Sequence, residues 1–186
     1  MAKKTFVTAL PTVLTLSRII AVPLVLWLVM DSNYVMAFWI FAYASITDAL
    51  DGALARFLDA RTELGAYLDP LADKLLLVSI FVSLGYQHYI PLWLVILVAF
   101  RDLLIIGGVV VFQTADRPIA MFPTVISKFN SFLQFIFATW SLASIGFQWN
   151  FPIVGQVLIY GVATTTILSG AVYMVRSLRS ESQIIK

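Results

Sequence analysis

Long apolar segments alternate with short polar breaks from one end of the chain to the other, and each apolar segment is about as long as a bilayer is thick. A hydrocarbon core ~30 Å across takes roughly 20 apolar residues in a helix. The pattern predicts six such spans, at about 12–31, 34–57, 63–86, 90–113, 122–147 and 151–177. Asp31-Ser32-Asn33 predicts a turn between the first two. Thr62 stands where an N-cap for the third span belongs, and Pro91 falls near the first turn of the fourth, where its missing N–H costs nothing. Gln113–Pro123, with Asp116, Arg117 and two prolines, reads as a polar connection. No internal repeat or low-complexity segment interrupts the plan. The expectation is an all-α integral membrane protein of six transmembrane helices, forming one domain over residues 1–186.

Composition agrees. The 186 residues are 61% hydrophobic and 12% charged, with a mean hydropathy of +0.94; a soluble domain carries roughly 25% charged residues. No soluble portion remains once the spans are assigned. The absence of cysteine excludes a disulfide framework, a thiol nucleophile and a thiolate metal site. The net charge of +2 gives no reason to invoke nucleic acid. Met-Ala-Lys-Lys before an apolar run superficially suggests a secretory signal, but Arg18 lies in that run and no small-residue cleavage site follows.

Charge placement sets an orientation. Six spans put both termini on one side, and Lys3, Lys4, Arg56, Arg61, Arg117, Arg176, Arg179 and Lys186 all fall there. The opposite turns, near Asp31, His88 and Trp149, carry no Lys or Arg. Positive residues remain on the cytoplasmic side of short loops, so both termini are expected to be cytoplasmic. Tyr34, Tyr89, Trp93 and Trp149 fall near the other ends, where an interfacial aromatic belt would sit. Arg18, Lys74, Arg101 and Lys128 are left inside the spans.

The acids are distributed unevenly. Thr47–Lys74, TDALDGALARFLDARTELGAYLDPLADK, holds six of the ten. Asp48 and Asp51 are three apart and Asp69 and Asp73 four apart, so on helices each pair shares a face. Both pairs lie roughly 9–15 Å below the cytoplasmic surface at 1.5 Å per residue, and a short hairpin would bring them to one level. Carboxylates crowded in a low dielectric repel one another and take up protons unless positive charge offsets them. Ionisable groups within a bilayer mark functional sites. An oxygen-only donor set suits a hard cation, Mg²⁺ or Mn²⁺, and four carboxylates suffice for two ions ~3.5–4 Å apart. The alternative is a structural network in which Arg56, Lys74, Arg18 and Arg101 neutralise the acids; buried ion pairs are a poor source of stability, which weighs against it. Gly52, Ala55 and Gly65 keep the same faces small enough for close backbone or ligand approach. Pro70 lies inside the third span and frees the carbonyl of Ala66.

Asp48-x2-Asp51-Gly52-x2-Ala55-Arg56-x8-Gly65-x3-Asp69-x3-Asp73 resembles the complete signature of the CDP-alcohol phosphatidyltransferases, and Pro11–Arg18 resembles that family's N-terminal segment. The resemblance implies an enzyme that takes CDP-diacylglycerol as donor, transfers its phosphatidyl group to an alcohol and releases CMP. By similarity, Asp48, Asp51, Asp69 and Asp73 hold two metal ions, with Asp73 also the general base. Gly52, Ala55, Arg56 and Gly65 would then lie against the CDP moiety, Arg56 on its phosphates. A homodimer is expected by the same similarity. The site should face the cytoplasm, where cytidine nucleotides are, and the short chain suggests a bacterial inner membrane.

The acceptor is expected in the second half. Arg101, Lys128 and Asn130, with Arg18 from the first span, are the candidate acceptor-binding residues, since cations suit a phosphate-bearing alcohol. The bland alternative pairs Arg101 with its Asp102 neighbourhood and lets Lys128 snorkel to the interface. Phe122-Pro123-Thr124-Val125-Ile126-Ser127-Lys128-Phe129-Asn130-Ser131, with Gln134 and the Arg101-Asp102 pair, resembles the eukaryotic-type cardiolipin synthases of the family and departs from them at Ser131. The phosphatidylglycerophosphate synthases carry a second lysine that this chain lacks. Phosphatidylglycerol is therefore the expected acceptor, with glycerol 3-phosphate the alternative. A divalent-cation transporter built on intramembrane Asp would need polar residues continuing across the membrane, and the outer halves of these spans hold almost none.

Overall fold

The computed structural model describes residues 17, 20–57, 63–114 and 124–184, and side chains over 17, 20–47, 73–107 and 124–176. Six helices follow one another, and no strand occurs among the described residues. The described part of α1 is Ile20–Met30. It is followed by α2 (Tyr34–Phe57), α3 (Glu63–Tyr86), α4 (Leu92–Thr114), α5 (Val125–Gly146) and α6 (Pro152–Ile184). With 22 to 24 residues each, α2 to α5 are ~33–36 Å long, enough to cross a hydrocarbon core. Among the described residues, only Pro152–Arg176 of α6 is both long and apolar enough to count as a span by composition. The acids and cations of α2 and α3 interrupt their apolar runs, so length alone supports crossing there. Helix α3 continues through Pro70.

Short turns end three of the helices in the same way. Ser32 (φ 61°), His88 (φ 63°) and Gln148 (φ 55°) adopt left-handed backbone just past α1, α3 and α5. After α1, the amides of Ser32 and Asn33 donate to the carbonyls of Val29 (3.1 Å) and Leu28 (2.8 Å). After α5, Gln148 and Trp149 donate to Ile145 (3.4 Å) and Ser144 (2.9 Å). Both are Schellman caps, which satisfy the terminal carbonyls and stop the helix abruptly. Starts are capped too: Asn33 Oδ1 accepts from the Met36 amide (3.4 Å), and Thr124 Oγ1 from the Ser127 amide (3.1 Å). The Asp31-Ser32-Asn33 turn is thus observed, and α5 starts after Thr124 rather than at 122. The Pro91 carbonyl accepts from Leu94 (3.0 Å), so α4 begins just after the proline. Thr62 lies outside the described residues.

The chain divides into two compact units, Met1–Gln87 with Ala138–Asn150, and His88–Phe137 with Phe151–Lys186. The first has an apolar core. Val25 and Val29 of α1, Ala37 and Phe41 of α2, Ile80 and Leu84 of α3 and Leu142 of α5 are buried. Gly146 closes that packing: a Cβ there would stand 3.0 Å from the Val35 amide nitrogen and 3.1 Å from the Tyr34 carbonyl carbon. Tyr34 is buried and bonds to Gln87, whose Nε2 donates to the Val29 carbonyl at 2.8 Å. It therefore ties helices together instead of joining a belt, while Tyr89, Trp93 and Trp149 are exposed as expected.

The second unit buries a polar seam beside apolar residues such as Leu94, Val98, Phe137 and Val162. Its buried residues include Arg101 and Asp102 of α4, Asn130 and Gln134 of α5, and Thr166 and Ser169 of α6. The same helices expose Ile96, Phe100 and Leu103, then Phe129, Phe132 and Ile136, then Val157, Tyr160 and Ile167. An apolar exterior of this kind marks a membrane or partner surface. Hydrocarbon as solvent explains both the buried polar seam and the apolar exterior, because polar groups find partners only inside.

Candidate active site

The four acids fall on the helices their spacing requires. Asp48 and Asp51 stand one turn apart in α2, and Asp69 and Asp73 one turn apart in α3. The side chains of Asp48, Asp51 and Asp69 lie outside the described residues, as do those of Arg18, Gly52, Ala55, Arg56 and Gly65. Asp73 and Lys74 are half-buried, and each has an interaction partner. Among the described residues no group of three or more potential metal ligands is gathered. The donor chemistry of the acid set, oxygen alone on two helices of established bounds, fits a hard divalent cation.

The acceptor candidates are better resolved, and they do different things. Arg101 is 3% exposed. Its Nη1 donates to Asp102 Oδ1 at 2.5 Å, and its Nη2 to Ser127 Oγ at 2.5 Å. Its Nε and Nη2 both donate to Ser169 Oγ, at 3.2 and 2.7 Å. The stem runs along α6, where a Cβ on Gly170 would sit in ordinary contact with Arg101 Cγ at 3.9 Å. A buried cation must be both charge-compensated and hydrogen-bonded, and here Asp102 meets the first need while the hydroxyls of α5 and α6 help meet the second. One guanidinium thus clamps α4, the first turn of α5, and α6.

Asn130, one turn further along α5, is fully buried. Its Oδ1 accepts from the hydroxyl of Thr166 at 3.0 Å and lies 2.8 Å from that of Thr165. Its Nδ2, like the Nε2 of Gln134, has no hydrogen-bond partner. Lys128 is exposed, beside the clamp on the opposite face of the turn from Asn130. Arg176, also exposed, lies seven residues beyond Ser169 on α6, ~10 Å further along the axis. The structure therefore brings Arg101 and Asn130 into one polar seam and leaves Lys128 outside it.

Thr165, Thr166 and Ser169 were not among the residues singled out from the sequence. Their signal is modest, a run of three threonines at 164–166 and a serine at 169 on a span that is otherwise mostly apolar. Thr166 and Ser169 continue the buried stripe begun by Val162.

The comparisons with known proteins point one way. The model of the CDP-alcohol phosphatidyltransferase family matches residues 8–168. The chain is 35% identical over 180 residues to the human protein named cardiolipin synthase (CMP-forming), covering 88% of this chain and 60% of that one. It is 32% identical over 160 residues to a probable cardiolipin synthase (CMP-forming) of Drosophila melanogaster, covering 77% and 48%. It is 31% identical over 177 residues to a probable phosphatidylglycerophosphate synthase of Mycobacterium tuberculosis, covering 91% and 82%. The chain thus spans about half to three-fifths of the length of these two cardiolipin synthases. The match over most of the chain, with the Asp48 to Asp73 signature on two helices of a membrane-type helical fold, shows that the protein belongs to the CDP-alcohol phosphatidyltransferase family.

Proposed function

We propose that the protein is a cardiolipin synthase of the inner bacterial membrane, taking CDP-diacylglycerol as donor and phosphatidylglycerol as acceptor and releasing CMP. The acceptor's free hydroxyl attacks the phosphorus that bears the diacylglycerol. A phosphorus–oxygen bond to the acceptor forms as the bond to CMP breaks, and Asp73 takes the hydroxyl proton. Asp48, Asp51, Asp69 and Asp73 would hold two Mg²⁺ or Mn²⁺ ions, which offset charge on the pyrophosphate and the leaving CMP. Gly52, Ala55, Arg56 and Gly65 receive the CDP moiety. The site faces the cytoplasm, the six helices cross the membrane, and two copies of the chain form the working enzyme.

One observation supports the choice of acceptor: the guanidinium of Arg101 is committed to Asp102, Ser127 and Ser169, so among the described residues of the second unit Lys128 is the exposed cation beside it. A single cation matches the single charge of a phosphodiester, whereas a phosphomonoester carries ≈ −1.5 to −2 near neutral pH. The likeness to proteins named cardiolipin synthase supports the same choice. The likeness to a phosphatidylglycerophosphate synthase keeps glycerol 3-phosphate as the second reading. The test incubates purified protein with CDP-diacylglycerol and each acceptor separately, with and without divalent metal, and identifies the lipid formed. Cardiolipin from phosphatidylglycerol, dependent on metal, is expected. Phosphatidylglycerophosphate from glycerol 3-phosphate with no cardiolipin overturns the assignment.

A further inference from the structure

The packed stripe of α2 runs on into its acids. Tyr34, Ala37, Phe41 and Ala44 are buried, and the same alternating steps of three and four residues lead on to Asp48, Asp51 and Ala55. On α3 the buried Leu76, Ile80 and Leu84 lead back, by steps of three and four, to Asp73 and Asp69. Spacing of this kind keeps one seam of a helix turned to its packing partners. The acids thus occupy the stripes that pack the first unit, and the offset between α2 and α3 decides whether the two pairs come level. The apolar part of the seam fixes that offset poorly. Ala37 and Ala44 are small, apolar attraction is non-directional, and lipid outside the helices is as apolar as the seam itself. Carboxylates brought together without a cation repel one another, so the acids do not align themselves.

A polar pair does fix an offset, because a slip breaks its bond and strands the groups; a single polar seam position specifies register in coiled coils in this way. Tyr34 and Gln87 form such a pair. The hydroxyl of buried Tyr34, the first residue of α2, donates to Gln87 Oε1. Gln87 Nε2 in turn donates to the Val29 carbonyl at 2.8 Å. The Gln87 amide donates to the Ser83 carbonyl at 3.1 Å, so its backbone completes the last turn of α3. Counted inward from that bond, the two helices reach their acids together. Ala37 and Leu84 are each three residues away, Phe41 and Ile80 each seven, and Asp48 and Asp73 each fourteen. Asp51 and Asp69 follow at seventeen and eighteen. Fourteen residues are ~21 Å along either axis. We propose that Tyr34 and Gln87 are positioning residues that set the register of α2 against α3 from the far end of the helices, and so hold the acid pairs level for a divalent cation. This rests on the reading of the acids as metal ligands.

The test compares Tyr34→Phe and Gln87→Met with the wild type by Mn²⁺ binding to the purified protein, by a spin-label distance and by turnover. The chain has no cysteine, so labels at Ile46→Cys and Leu75→Cys, exposed positions twelve residues from the bond on either helix, read the offset without metal. Both variants should shift or broaden that distance. Tyr34→Phe should weaken Mn²⁺ binding about two- to tenfold, the factor that one hydrogen bond of ~0.5–1.5 kcal/mol supplies. Gln87→Met should weaken it at least as much, and the double variant no further, since the two residues act as one unit. Saturating Mn²⁺ should restore turnover, because bound ions favour the level register. A lower unfolding midpoint with distance and Mn²⁺ affinity unchanged would make the pair a structural tie and overturn the proposal. A wild type that binds no Mn²⁺ refutes the metal reading, and the proposal with it; failure of the proposal alone leaves wild-type binding intact. Should Gln87→Met not fold, Tyr34→Phe, which removes a single hydroxyl, decides by the same two readouts.

Discussion

Ser169→Ala removes one oxygen and tests the clamp in the second unit directly. Ser169 Oγ accepts from both Nε and Nη2 of Arg101, while Ser127 Oγ accepts from Nη2 alone. Interhelical hydrogen bonds in membrane proteins average ~0.6 kcal/mol, and bonds to a charged group are roughly twice as strong as neutral ones. Each contact is then worth about 1 kcal/mol, so Ser169→Ala should cost ~2 kcal/mol and Ser127→Ala ~1 kcal/mol. The deletion of a hydroxyl leaves almost no cavity, so packing loss adds little. The assay is reversible unfolding of the purified protein in mixed micelles, run on both variants and on Ser169→Thr, which keeps the oxygen and should recover most of the loss. The clamp also fixes the first turn of α5, on which Lys128 rides, so Ser169→Ala should raise KM for the acceptor more than it alters kcat. Equal stability of wild type and both alanine variants, with unchanged KM, would show that these short contacts contribute nothing.

Other consequences follow from the same geometry. Arg101→Leu removes the cation that Asp102 faces at 2.5 Å in the interior, and breaking a buried pair costs ~3–5 kcal/mol; the double variant Arg101→Leu, Asp102→Leu should recover much of it, and a double variant no better than the single one would contradict a charge-compensated pair. Gly146→Ala places a Cβ 3.0 Å from backbone nitrogen, so α5 must shift from α2 and stability should fall by ~1–3 kcal/mol in the same unfolding assay; an unchanged midpoint would show that the approach is looser than drawn. Asp73→Asn should abolish lipid product while CMP binding, measured calorimetrically, stays largely intact; near-normal turnover would remove Asp73 as the base.

Helix bounds were legible wherever polarity and backbone chemistry coincide. Asp31-Ser32-Asn33 is both a polar break and a Schellman cap, and the apolar pattern matches the start of α2 at Tyr34 and the end of α3 at Tyr86. α6 runs to Ile184, beyond the expected end at 177, because Arg176–Gln183 is polar yet made largely of residues that tolerate a helix. Hydropathy reports where the bilayer ends, and helix propensity continues past it. The acid pairs were legible as far as their placement, three and four residues apart on α2 and α3; the side chains of Asp48, Asp51 and Asp69 lie outside the described residues. The hydroxyls of α6 were not legible. A Ser or Thr in a membrane helix can satisfy itself on the carbonyl four residues back, as exposed Thr164 does on Tyr160 at 2.8 Å. Thr166 turns instead to Asn130, and Ser169 to Arg101. Spacing alone does not distinguish the two choices; the neighbouring helix does. The same holds for Arg101: its charge suggested an acceptor contact, with pairing to the Asp102 neighbourhood as the alternative, and the structure shows that pairing together with the hydroxyls of α5 and α6.

The most direct measurement offers purified wild-type protein both acceptors at once, phosphatidylglycerol and glycerol 3-phosphate at equal activity, with labelled CDP-diacylglycerol in vesicles containing Mg²⁺. Label should pass mainly into cardiolipin. Label found chiefly in phosphatidylglycerophosphate would contradict the choice of a lipid acceptor.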